Sequence, residues 1–223
     1  MGARNCVVHL QRGARLKTDG KKSSHWRMVV DQVKNQTLVD SNCHVLYCGV
    51  TMSGKTTLAR HHAKLLQKHK HEIAVYDPVL TGTVNGTWPE GVKVFSDPEP
   101  FLKWLVTAKG TDKNPVFVFV DESADIFGHE NKDANWIPRR VRHQNIYLRL
   151  ISQRPKMLPP NVRSQCAQTY MFRLASDDAK MVCADAGHGS EISSITLDTG
   201  DCLLLLSGSS TIEQFNVFEL VDS

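Results

Sequence analysis

The residues with the most specific chemistry are Gly49-Val50-Thr51-Met52-Ser53-Gly54-Lys55-Thr56, which fit the phosphate-loop pattern G-x-x-x-x-G-K-[ST] at every fixed position. In such a turn the glycines let the backbone approach phosphate oxygens, and successive N–H groups and a helix N-terminus face the anion. Gly49, Ser53, Gly54, Lys55, Thr56 and Thr57 are therefore the candidate residues for binding a nucleoside triphosphate. Lys55 is suited to bridge the β- and γ-phosphates, and the Thr56 hydroxyl to hold Mg²⁺. A second group is Asp121-Glu122, which abruptly ends the apolar run 116–120. At the end of a parallel strand, Asp121 is expected to hold Mg²⁺ through its water shell, and Glu122 to polarise an attacking water. A third is Gln153, just past the apolar run 146–151. Its amide both donates and accepts, so it can sense a γ-phosphate and orient water. Plainer readings exist: a chance glycine turn, two acidic caps, a glutamine at a strand end. The strand and helix flanking the turn weigh against the first.

These groups need elements to hold them. Val45–Cys48 reads as a buried strand entering the turn, and 57–66 carries apolar residues at helical spacing. Further strands are expected at 73–77, 92–95, 116–120, 146–151, 167–174, 202–206 and 211–219, with helices near 98–109, 123–145 and 176–184. Asp97 is a candidate N-cap for 98–109. Residues 81–91 form a turn-rich loop. Alternating strands and helices imply an α/β fold with a mainly parallel, doubly wound sheet. The strand 73–77 intervenes between the P-loop and Asp121.

The composition is that of a globular chain, and no apolar run approaches the roughly eighteen residues needed to span a bilayer. The start lacks the apolar core of a signal peptide, and Cys6 stands where a myristoylation pattern wants Ser or Thr. The six cysteines form no C-x-x-C pair, which argues against zinc. The net charge is +4, yet 134–175 contains eight cations and no carboxylate, leaving −4 for the rest. A basic segment in an otherwise acidic chain points to a polyanion or phosphate-facing surface, with solvated helix faces as the plainer account. Residues 1–40 read as a basic N-terminal extension, either a nucleic-acid arm or a tether, and 41–223 as the P-loop ATPase domain.

From His44 to about Leu206 the chain resembles the FtsK–HerA superfamily of DNA-pumping ATPases. The P-loop Gly49–Thr56, the stretch 118–125 and Ile151-Ser152-Gln153-Arg154-Pro155 carry the resemblance, joined by 142–148 and the Gly200-Asp201 strand entry. The resemblance implies a RecA-like P-loop NTPase core, a mainly parallel central sheet flanked by helices, and the ATPase class with a catalytic Glu. It makes Arg142 the arginine finger, acting on a neighbouring subunit, with Arg139, Arg140 and Arg163 in reserve. Size and the absence of accessory domains look most like the genome-packaging ATPases of icosahedral viruses with an internal membrane. That likeness implies Mg-ATP hydrolysis in a homo-oligomeric ring, a hexamer as in the family. Duplex DNA, bound without regard to sequence, and viral capsid vertex proteins are the implied partners. The place is a virion vertex or the host cytoplasm, with no direct membrane insertion. Gly128–Trp136 and Arg154–Arg163 are candidate DNA loops. Two rivals stand beside this reading. One is a P-loop small-molecule kinase, which needs an acceptor pocket and no DNA stimulation. The other is a nucleotide-gated phage assembly or export protein, which expects a membrane anchor.

Overall fold

The computed structural model describes residues 41–79, 88–210 and 212–221. The expected extension 1–40 and most of the loop 81–91 lie outside the described residues. Eight described strands form one sheet: β1 (His44–Cys48), β2 (Glu72–Tyr76), β3 (Lys93–Phe95), β4 (Val116–Val120), β5 (Ile146–Ser152), β6 (Cys166–Met171), β7 (Asp201–Leu206) and β8 (Ile212–Asn216). Their order is β3-β2-β4-β5-β1-β6-β7-β8. Neighbours from β3 to β6 pair in parallel, and β7 runs antiparallel to both β6 and β8. The described helices are α1 (Lys55–Lys68), α2 (Pro98–Thr107), α3 (Ser123–Phe127), α4 (Ile137–Arg142), α5 (Pro160–Arg163), α6 (Ser176–Asp185) and α7 (Val217–Val221). The expected α/β class and mainly parallel sheet are thus observed.

The period-2 strand geometry divides each strand between two cores. Val116, Val118 and Val120 face a layer containing Phe101 and Leu105 of α2, Ile137 and Val141 of α4, and Val182 of α6. Phe117 and Phe119 face the opposite layer, with Leu58, Ala63 and Leu66 of α1. A strand covered on both faces must be apolar throughout, which is why β4 reads VFVFV. Asp97 caps α2 as expected, accepting from the Glu99 N–H at 3.0 Å.

Two expectations are corrected. The strand 73–77 does not intervene between the P-loop strand and the strand of the acidic pair. That position belongs to β5, and β2 lies on the far side of β4. The physical reason is coverage: β5 is buried along its whole length, whereas β3, which follows β2 outward, exposes Lys93 and Val94 and suits an edge. The run 211–219 is not one strand. After Asn216 the chain turns into α7, because the Asn216 carboxamide accepts from the Phe218 N–H at 3.0 Å and the Val217 N–H donates to the Gly200 carbonyl at 2.8 Å. Both bonds draw the backbone out of the ladder.

Candidate active site

The C-terminal ends of β1, β2, β4 and β5 share one sheet edge, the place where ligands bind in open α/β sheets. The cleft there is lined by Thr51, Lys55, Thr56, Asp121, Glu122 and Gln153, among others. Residues closing β4 and β5 therefore converge on the loop that follows β1. Gly49, Ser53 and Gly54 lie in the turn and Thr57 in the first turn of α1, none of them lining the cleft. Gly54 sits at φ 109°, a left-handed conformation that disfavours a side chain, and it accepts the Leu58 N–H at 2.9 Å to start α1.

A chain of hydrogen bonds links the predicted groups. Thr51 Oγ1 donates to Gln153 Oε1 at 2.7 Å, and Gln153 Nε2 donates to Glu122 Oε1. The amide thereby joins the phosphate loop to the acidic pair across β5. Glu122 holds a left-handed backbone, φ 47° and ψ 48°, uncommon for a residue with a side chain and costly by roughly 1–3 kcal/mol. Its neighbours enforce that turn: Ser123 Oγ donates to the Ile151 carbonyl at 2.8 Å, and the Asp125 N–H to the Glu122 carbonyl at 2.8 Å.

Lys55 is buried and its Nζ donates to the Val50 carbonyl at 2.9 Å. Burial lowers its pKa, while Asp121 and Glu122 oppose that shift, placing the ammonium in the field of both carboxylates. Burial raises the Asp121 pKa to about 6, aided by the charges of Asp77 and Glu122. The Glu122 N–H, donating to Asp121 Oδ1 at 3.0 Å, and Lys55 pull the other way. An ammonium, a hydroxyl and two carboxylates in one cleft form a donor set that fits a Mg²⁺–triphosphate.

The Asp121 shift has a consequence for stability. The folded-state pKa lies above the ordinary 3.8, so the native state binds the proton more tightly. Ionised Asp121 then subtracts from stability above about pH 6, and that cost fades as the pH falls towards 4. Discounted for partial exposure, the burden is about 2 kcal/mol. Asp121→Asn keeps an oxygen for the Glu122 N–H and removes the charge. Without nucleotide or metal, it should raise the melting temperature at pH 7.5 by about 5 °C. The gain should shrink towards pH 4. Thermal unfolding across that range checks this, and an unchanged melting temperature at pH 7.5 would refute it.

No family model matches the sequence, and no curated protein matches it by sequence. Solved structures do resemble it. The genome packaging NTPase B204 from Sulfolobus turreted icosahedral virus 2, in complex with AMPPCP, superposes with a TM-score of 0.64 at 22% identity, covering 78% of this chain and 96% of that one. B204 from Sulfolobus turreted icosahedral virus, a DNA-packaging ATPase, gives 0.60 at 20% identity, covering 79% and 98%. The pCW3 conjugation coupling protein TcpA, with ATPγS, gives 0.61 at 18% identity, covering 80% of this chain and 60% of that one. The chain shares its fold with these solved structures.

Within this fold the finger candidates part company. Arg142 ends α4, before β5 begins, whereas Gln153 follows its end. Seven residues of strand separate them by about 20 Å. The charge of Arg142 is felt by His44 and Tyr147, at the starts of β1 and β5. Arg142 is thus exposed but remote from the cleft of its own chain. Arg139 and Arg140 are exposed on the same helix, and the Arg140 guanidinium lies 5.2 Å from the Trp136 ring centroid. Arg163 is buried, paired with Asp185 at 2.5 Å and bound to the Leu158 carbonyl, which gives it a structural task.

The basic segment is likewise not a single surface. Arg149 is fully buried, donates to the carbonyls of Cys43 at 2.5 Å and Ser41 at 3.1 Å, and lies 4.9 Å from the Phe117 ring centroid. The exposed cations fall at two sheet edges: Arg139, Arg140 and Arg142 before β5, and Arg154, Lys156 and Arg173 after β5 and β6. The two candidate DNA loops touch, the His129 N–H donating to the Met157 carbonyl at 3.2 Å. Both border Glu122 and Gln153.

One cleft residue was missed. Asp77 ends β2, is buried, and lines the cleft; its carboxylate accepts from Trp88 Nε1 at 2.9 Å and lies 3.9 Å from Arg60. The signal existed: an acid closing an apolar strand, the same pattern that marks Asp121. No described helix is long and apolar enough to cross a membrane.

Proposed function

We propose that the chain is a Mg²⁺-dependent ATPase that moves duplex DNA, working as a homo-oligomeric ring to package a viral genome. The observation that carries hydrolysis is the Thr51–Gln153–Glu122 hydrogen-bond chain. It presents a carboxylate and a sensing amide side by side, against the loop that would hold the γ-phosphate. Thr56 and Asp121 would hold Mg²⁺, and the metal would neutralise charge on the phosphates. Lys55, Gly49, Ser53, Gly54 and Thr57 would bind or shape the phosphates. Glu122 would accept a proton from water, and Gln153 would orient that water.

DNA movement is supported by continuity. Gln153 is followed directly by Arg154 and Lys156, so a change at the γ-phosphate side is coupled through one short loop to exposed cations. Such cations bind phosphates without reading sequence. The packaging reading rests on the likeness to the two B204 proteins, a genome packaging NTPase and a DNA-packaging ATPase. A hexameric ring docked on capsid vertex proteins, at the virion vertex or in the host cytoplasm, completes this reading.

The deciding measurement is the ATP hydrolysis rate with and without duplex DNA. The rate should rise several-fold with DNA of any sequence, and the rise should fade with salt. Lys55→Ala should be silent in both conditions. A rate indifferent to DNA overturns the translocase assignment.

A further inference from the structure

The catalytic groups occupy one side of the phosphate loop. Along the sheet edge, Glu122 and Gln153 close β4 and β5, and the loop follows β1. A triphosphate with its γ end at Glu122 must send its nucleoside the other way, over β6, β7 and β8. There β7 begins and β8 ends, because β7 is antiparallel to both neighbours and Asp201 pairs with Asn216. The residues at that corner are Gly200 and Phe218. The Gly200 N–H donates to the Ser53 carbonyl at 3.1 Å, so the corner is bonded directly to the phosphate loop. A Cβ built on Gly54 would lie 3.6 Å from the Gly200 Cα. Gly200 holds φ 89°, and a Cβ there would stand 2.6 Å from the Phe218 ring. The ring therefore rests on a backbone that only glycine keeps thin enough. Phe218 is nonetheless 43% exposed, a large aromatic left in water beside the loop.

We propose that Phe218 is the stacking platform for the nucleobase. The inference rests on the nucleotide-site reading of the cleft and adds the subsite that Lys55, Asp121 and Glu122 do not supply. An aromatic face takes any base, since every base has a π-face. The carboxamide two residues before the ring is already engaged: Asn216 Nδ2 donates to Asp201 Oδ1 at 2.9 Å, and its Oδ1 accepts from the Phe218 N–H. Phe218 thus contributes affinity for a nucleoside triphosphate over bare polyphosphate, with no choice of adenine over guanine.

The test uses Phe218→Leu, which keeps apolar contact with Gly200 and removes the ring, and Phe218→Tyr, which keeps the ring. Equilibrium binding of Mg·ATP, Mg·GTP and Mg·tripolyphosphate is measured for each by displacement of a fluorescent nucleotide. Phe218→Leu should weaken ATP and GTP equally, by about tenfold, and leave tripolyphosphate unchanged, while Phe218→Tyr binds all three like the parent. Equal losses for all three ligands, or no loss for any, overturn the platform. A loss confined to ATP overturns the claim of base tolerance. Lys55→Ala separates the two levels: if it leaves both ATP and tripolyphosphate binding intact, the nucleotide site itself is misplaced, whatever Phe218 does.

Discussion

Glu122→Gln is expected to lower the turnover number for ATP hydrolysis by about a thousandfold while changing ATP affinity by less than about threefold. The substitution is nearly isosteric. Its amide oxygen still accepts from Gln153 Nε2, so the hydrogen-bond chain from Thr51 survives. The left-handed backbone at 122 and the bonds that enforce it do not involve the carboxylate. Only proton acceptance is lost. Steady-state hydrolysis and equilibrium nucleotide binding on the same preparation separate the two effects. A variant keeping more than a tenth of the parent rate would move the water-activating role elsewhere, with Asp77 and Asp121 the remaining carboxylates in the cleft.

Arg142→Ala should cost on the order of a thousandfold in turnover and spare nucleotide binding, because a finger acts on the transition state. The position of Arg142 makes a specific demand. It lies at the opposite end of β5 from Gln153, so it can serve only the cleft of another copy. A heterologous ring supplies that copy. Neither Arg142→Ala nor Glu122→Gln alone should turn over, yet mixing them should restore activity. A subunit with intact Glu122 then meets a neighbour with intact Arg142 at about a quarter of randomly assembled interfaces. Recovery at that level, with no recovery from either variant alone, establishes donation between subunits. A mixture as dead as its parts sinks the finger assignment. Arg163 gives the contrast: its pairing with Asp185 predicts lost stability on truncation, a defect no mixing repairs.

Local features were legible in the chain of residues. The phosphate turn, the apolar strand entering it and the helix leaving it are set by neighbouring residues. The same holds for the acids closing β4, since a strand buried on both faces must become polar where it meets water. Asp97 as a cap and the all-apolar β4 were readable for the same reason. The order of strands was not. An apolar run records that both its faces are covered, not which strands lie beside it; the role of Gln153 required 146–151 to neighbour the P-loop strand, and only the fold places it there. Charge misled in a similar way. Arg149 and Arg163 count as cations in the sequence, but buried carbonyls and Asp185 absorb their donors. Only folding brought Asp77 into the cleft and laid Phe218 on Gly200. Each of these joins residues distant in the chain, and closing long loops costs so little per added residue that packing, not sequence distance, chooses the partners.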